Sequence, residues 1–219
     1  MTEIYVVRAG DTLGALAKEV GATLADILNL NPQITNPNLI VAGQPILLPK
    51  APKGLHKAMA KANNPSKDPA WLKIALREEG VAEMSGDQHT ARILEYLQTC
   101  EGLSQADASK DETAWCSAFA CWVMEQDGRK SPRTAWAKSW KDWGKQEPAD
   151  KPRRGAVAVF SRKSASTNGG HVGFFLEDLG DKIALLGGNQ SNRVKISNYP
   201  KDGVLGAFSY KLLSYRWPD

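Results

Sequence analysis

At Pro152 the hydrophobic period of the chain changes, and that switch limits the fold more than any other feature. Upstream, apolar residues recur at helical spacing: Trp71, Ile74 and Ala75 up to a stop at Gly80, then Ile93, Leu94, Tyr96 and Leu97, then Trp115, Phe119, Trp122 and Val123 up to Gly128. A further helix is expected after Ser131-Pro132, carrying Trp136, Trp140 and Trp143 on nearly one face and ending at Gly144. A helical aromatic stripe of that kind is more often core than a sugar-stacking platform. Downstream, short apolar runs bounded by Gly, Asp and Ser cover residues 156–160, 171–176, 182–186, 194–196 and 204–208. They read as an antiparallel meander, and helices followed by strands define an α+β domain.

The first 49 residues follow a different plan. A short strand at residues 4–8 leads to the turn Gly10-Asp11-Thr12, where Asp11 or Thr12 caps a helix through Leu13, Leu16, Ala17 and Val20. Thr23 opens a second helix through Leu24, Ile27 and Leu28, closed by Asn31-Pro32. Leu39-Ile40-Val41 and the strand-like Pro45–Pro49 complete an order of strand, helix, helix, strand. Residues 50–69, rich in Lys, Ala, Pro and Asn, read as a basic linker, so the expected division is 1–49, 50–69 and 70–219.

Charge separates along the same lines. Of the 28 basic and 24 acidic side chains, residues 1–48 hold two and four, residues 49–69 five and one, and the remainder 21 and 19. The excess is local, with no basic stripe interleaved with aromatics, so nucleic acid is a poor candidate partner. No apolar run approaches the roughly 18 residues that span a bilayer. The N-terminus has neither a basic n-region nor an apolar h-region, so the chain is expected to be made in the cytoplasm. Three cysteines, an odd number, argue against a disulfide framework. His56, His89 and His171 are far apart and no C-x-x-C pair exists, so neither a metal nor another cofactor is expected.

Chemistry is concentrated at Cys116, in the first turn of an apolar helix preceded by Asp111, Glu112 and Thr113. Helix N-terminal N–H groups favour a thiolate and can hold an oxyanion formed when it attacks a carbonyl. Alone, Cys116 has a plainer reading as one more buried thiol. A nucleophile needs a base, and the base needs a group to fix its tautomer. His171 opens a strand directly after Gly169-Gly170, where glycine lets a ligand or another backbone approach. A hairpin returning residues 182–188 alongside 171–177 brings Asn189 back toward it.

Two family resemblances follow. Tyr5-Val6-Val7, Gly10-Asp11-Thr12-Leu13, Ile27-Leu28, Asn31-Pro32, Leu39-Ile40 and Gly43-Gln44 make residues 4–49 closely similar to the LysM module. That resemblance implies a shallow groove for N-acetylglucosamine-containing glycan, with Gly10, Asp11, Thr12 and Leu13 on one side and Asn31, Pro32, Gln33 and Ile34 on the other. Residues 70–217 resemble the papain-like CHAP and NlpC-related amidohydrolases through Glu112, Trp115-Cys116-Ser117-Ala118-Phe119, Trp140, Trp143-Gly144, Arg154-Gly155-Ala156-Val157, Gly170-His171-Val172-Gly173-Phe174, Gly187-Gly188-Asn189-Gln190-Ser191 and Leu205-Gly206.

The second resemblance implies Cys116 as nucleophile, His171 as general base then acid, and Asn189 orienting the imidazole. Glu112, Trp115 and Gln190 become substrate-binding or oxyanion candidates. Many NlpC relatives place a second histidine at the third position, whereas here it is an amide. The implied activity is cleavage of an amide of peptidoglycan, in the stem peptide or at the muramoyl–alanine junction. Action at the wall would follow holin release, for a phage endolysin, or delivery by a secretion machine, for an antibacterial effector paired with an immunity protein. The alternatives are a catalytically inactive wall-binding protein and an acyl transferase using the same residues.

Overall fold

The computed structural model describes residues 2–7, 11–34, 36–37, 40, 44–49, 68–84, 86 and 88–219. The chain divides into two compact units, Met1–Ser66 and Lys67–Asp219. The expected linker lies outside the described residues except for Asp68 and Pro69, which already belong to the second unit. Arg154 Nε donates to buried Asp68 at 2.9 Å, and Pro69 precedes the first helix of that unit as its N-cap residue.

In the first unit β1 (Thr2–Val6) and β2 (Pro45–Pro49) pair antiparallel, with Thr2 opposite Pro49 and Val6 opposite Pro45. Strand alternation points Ile46 and Leu48 inward and leaves Leu47 outside. Helices α1 (Leu13–Val20) and α2 (Leu24–Leu30) complete a core of Val7, Leu13, Leu16, Ala17, Val20, Ile27, Ile34, Ile46 and Leu48. Thr23 and Asp26 form a reciprocal capping box at the start of α2, which satisfies two backbone donors there.

The second unit begins with α3 (Ala70–Arg77), α4 (Ala91–Gln98), the short α5 (Gln105–Ala108) and α6 (Cys116–Gln126). Every residue of α6 from Cys116 to Met124 is buried, because α3 and α4 cover one side and the sheet the other. The expected tryptophan helix is instead a 3-10 helix, Ala137–Asp142. Its tighter winding separates residues that an α-helix would align. Trp140 is accordingly buried, Trp143 is half-buried, and Trp136 points out with 55% exposure.

The strands are β3 (Lys145–Glu147), β4 (Val157–Lys163), β5 (Asn168–Asp178), β6 (Lys182–Gly187), β7 (Lys195–Pro200), β8 (Asp202–Leu205) and β9 (Phe208–Trp217). Their order is β3-β9-β4-β5-β6-β7, with β8 paired to β9. The meander therefore holds from β4 to β7, but β9 returns between β3 and β4, and β7 and β8 lie against β9. One face of the sheet (Val157, Val159, Val172, Phe174, Leu186) packs on α6. The other (Ala158, Phe160, Phe175, Leu185, Tyr199, Tyr210, Tyr215) forms a second core.

Candidate active site

Cys116 is the first residue of α6, and Trp115 is the N-cap residue before it. Burial pushes the Cys116 thiol up. The Arg162 guanidinium and the backbone amides of Val172, Ser117 and Cys116 oppose that effect without overcoming it. The helix N-terminus thus does face the sulfur, as its position in the sequence requires. The resting group is nevertheless a thiol, because desolvation outweighs the amides and the nearby cation. For the sulfur to serve as a nucleophile, a base would have to take its proton.

Val172, whose amide faces Cys116, is next in the chain to His171, so β5 runs past the head of α6, and the Arg162 charge acts on both Cys116 and His171. His171 lies opposite Phe160 of β4 and stacks on Tyr199 of β7, with ring centroids 4.8 Å apart and planes 17° apart. Only 1% of it is exposed, and burial drives its pKa down to about 4. Hydrogen bonding to Gln190 favours the charged ring, and the Arg162 charge adds to the disfavouring effect of burial. The glycine before His171 serves the 3-10 helix rather than a ligand: a Cβ on Gly170 would lie 3.0 Å from Lys138 Cγ and 3.3 Å from Ala137 Cβ.

The side chain that reaches the imidazole is Gln190. Its Oε1 lies 3.4 Å from His171 Nε2. Its Nε2 donates to the carbonyls of Lys195, Gly187 (3.2 Å) and Leu185 (3.4 Å), so the amide cannot be reversed without facing acceptors with an acceptor. Gln190 therefore presents oxygen to the ring, the proton sits on Nε2, and Nδ1 keeps the lone pair a base needs. Asn189, expected in this role, is half-buried and makes no hydrogen bond to His171. Its φ of 52° is left-handed, and the turn there swings the following side chain, not its own, beneath the histidine.

The side chains of Trp115 and Glu112 are engaged elsewhere. Trp115 is wholly buried, donates from Nε1 to Glu83 at 2.7 Å, and lies under Gly188, where a Cβ would come within 2.6 Å of the indole. It is core, because the turn closing β6 has to pass over it. Glu112 is exposed and approaches His89 Nδ1 at 3.5 Å. Asp111, fully buried beside it, accepts from the amides of Met84 (3.1 Å) and Thr90 (2.8 Å) and faces His89 at 3.1 Å. Among the described residues, His89, Asp111 and Glu112 are the group whose ligand atoms lie close enough together to hold a metal ion, within 4.8 Å. Asp111 is already engaged in holding the loop before α4.

Sequence reasoning missed Arg162, Tyr199 and Tyr210. Arg162 is two residues beyond Phe160 on β4, hence on the sheet face that His171 shares with Tyr199 and Tyr210. That signal needs the strand register, which the sequence does not carry.

In the first unit the expected groove residues divide. Leu13 and Ile34 are core. Asn31 is buried, donating to Ile27 O (2.8 Å) and Leu47 O (2.7 Å) and accepting from Leu47 N (2.7 Å), so it fastens α2 to β2 rather than facing a ligand. Asp11 accepts the Tyr5 hydroxyl at 2.7 Å. Thr12, Pro32 and Gln33 are exposed, and Gly10 lies outside the described residues.

An α+β unit whose buried helix begins at a cysteine and packs on an antiparallel sheet that carries a histidine is of the papain-like class. The LysM family model matches residues 5–49 and the CHAP family model residues 108–189, so the chain carries a LysM domain followed by a CHAP domain. It is 47% identical over 45 residues to an endolysin of Bacillus phage B103, covering 20% of this chain and 17% of that protein. It is 47% identical over 49 residues to a cortical fragment-lytic enzyme of Bacillus subtilis (strain 168), covering 22% and 11%. An endolysin of Bacillus phage PZA is 46% identical over 46 residues, covering 21% and 18%. The chain therefore spans less than a fifth of the length of these curated relatives. Among the described residues, no helix is long and apolar enough to cross a membrane.

Proposed function

We propose that this chain is a peptidoglycan hydrolase, held to wall glycan by its LysM domain, whose CHAP domain cleaves an amide of the stem peptide or the muramoyl–alanine junction through Cys116. The observation that supports this reading is the anchored Gln190 amide, which leaves His171 Nδ1 with the lone pair a base needs, in the same unit as a thiol at a helix N-terminus. Nδ1 takes the thiol proton as sulfur attacks the carbonyl carbon. The backbone amides of Cys116 and Ser117 stabilise the oxyanion, and Nε2–H remains on Gln190 throughout. The imidazolium then protonates the leaving amine. A water, deprotonated by the same nitrogen, hydrolyses the thioester and restores the thiol. A neutral amide orients the ring without offsetting its charge, so the imidazolium is short-lived. The names of the endolysin relatives and the pairing with LysM point to the wall as the substrate. Mass spectrometry of purified peptidoglycan tests the reading: wild type is expected to release new amine termini and Cys116→Ala none. An unchanged profile for both proteins, with wall binding intact, would leave only a binding protein.

A further inference from the structure

Among the described residues, Arg162 is a cation without an anion. Its Nε is buried and has no hydrogen-bond partner. The guanidinium carbon lies 4.7 Å from the centre of the Phe208 ring, which covers one face of the group. The Tyr210 hydroxyl faces it, and Cys116, His171 and Tyr199 lie within its field. None of these groups carries a negative charge at rest, and no carboxylate among the described residues forms an ion pair with Arg162. A half-buried guanidinium without a counter-ion is costly, and the cost is recovered only when an anion arrives. Its planar fork fits a carboxylate through two parallel N–H···O bonds.

We propose that Arg162 is a substrate-binding residue that receives a carboxylate on the amino acid flanking the scissile amide. This rests on the hydrolase reading for its substrate class, and it adds a rule of selection: a stem peptide with a free carboxylate beside the scissile bond is favoured over one in which that carboxylate is amidated. Phe208 covers one face of the guanidinium, and the two terminal nitrogens of the half-buried side chain supply the parallel donors.

The test uses full-length protein carrying Cys116→Ala, so that ligand is not consumed. Two probes are titrated by calorimetry: a disaccharide–tetrapeptide with its glutamyl α-carboxylate free, and the same compound with that group amidated. The free acid is expected to bind at least tenfold more tightly. Adding Arg162→Gln should abolish that preference while leaving affinity for the amidated probe within threefold. Arg162→Lys should keep only part of it, since a point charge lacks the fork. Equal affinity for both probes in the Cys116→Ala protein would overturn the proposal, as would a preference that survives Arg162→Gln. Retained affinity for the amidated probe shows that Arg162→Gln is folded, and an Arg162→Gln protein that binds neither probe while Arg162→Lys keeps the full preference would also overturn the proposal. A companion measurement, the pH dependence of Cys116 alkylation by iodoacetamide in otherwise wild-type protein and in Arg162→Gln, separates a role confined to the thiol. A large shift there with probe preference intact counts against the proposal. Failure of wild type to cut sacculi would instead strike the hydrolase reading, and the binding result would still decide the role of Arg162.

Discussion

Gln190→Ala separates the two duties of that side chain, and the size of each can be worked out. The amide nitrogen serves the carbonyls of Lys195, Gly187 and Leu185, while the amide oxygen serves His171. Truncation orphans acceptors in a region where Gln190 is 2% exposed. Three carbonyls left without their donor, with a cavity of a few heavy atoms, should cost about 2–4 kcal/mol of folding stability. Loss of the oxygen leaves both tautomers of His171 accessible, and the tautomer with its proton on Nδ1 cannot take a proton from Cys116. Removing a tautomer-fixing partner costs up to about 10⁴-fold in kcat in a serine protease, where that partner is charged. A neutral amide at 3.4 Å should be worth less, about 10–100-fold. The assays are urea denaturation followed by tryptophan fluorescence, and initial rates of wall clearing at a temperature where the variant is folded. A variant destabilised as stated but with wild-type kcat would refute the tautomer argument. Gln190→Glu serves as control: its carboxylate faces the imidazole and should move the acid limb of the rate profile upward.

Three other outcomes are expected. His171 is held near pKa 4 in the folded protein against an ordinary 6.5, so between those values the folded state binds fewer protons than the unfolded chain. Its contribution to stability should be constant above pH 6.5 and should fall by about 3 kcal/mol as pH drops through that window to 4, a slope that urea titrations of His171→Phe should lack. Gly188→Ala drives a methyl to within 2.6 Å of the Trp115 ring and 2.7 Å of Phe119 Cβ, and should cost about 1–3 kcal/mol in thermal denaturation. Asn31→Ala should abolish pelleting with purified wall by unfolding the first unit, while the tryptophan transition stays unchanged because all seven tryptophans lie in the second.

The sequence carried the parts of this site that depend on local pattern. Cys116 was legible as a helix start because acidic and hydroxyl residues precede an apolar helical run, and His171 as a strand residue because the apolar run from 171 to 176 ends in charge. The α+β order was legible in the change of period at Pro152. What could not be read depends on backbone turns and on register. The positive φ at Asn189 decides which of two adjacent amides meets the imidazole, and no residue-type argument separates them. Arg162 joins the site only through the β4–β5 pairing. The run expected at 204–208 covers the end of β8, the turn at Gly206-Ala207 and the first residue of β9, and the rest of β9 is hard to read because the alternation of Tyr210, Leu212, Tyr215 and Trp217 with Lys, Ser and Arg slips at Leu213. Trp115, Leu13, Asn31 and Ile34 sit in motif positions yet face inward, since a dense motif in a small domain records core and hydrogen-bond anchors as readily as ligand contacts.

The most direct measurement is intact-protein mass spectrometry of a stem-peptide digest quenched in acid within the first turnovers. The account predicts an acyl adduct on wild type that maps to the Cys116 peptide and decays as amine product accumulates, and neither adduct nor product from Cys116→Ala. Undiminished product release by Cys116→Ala would contradict it, whatever bond is cut.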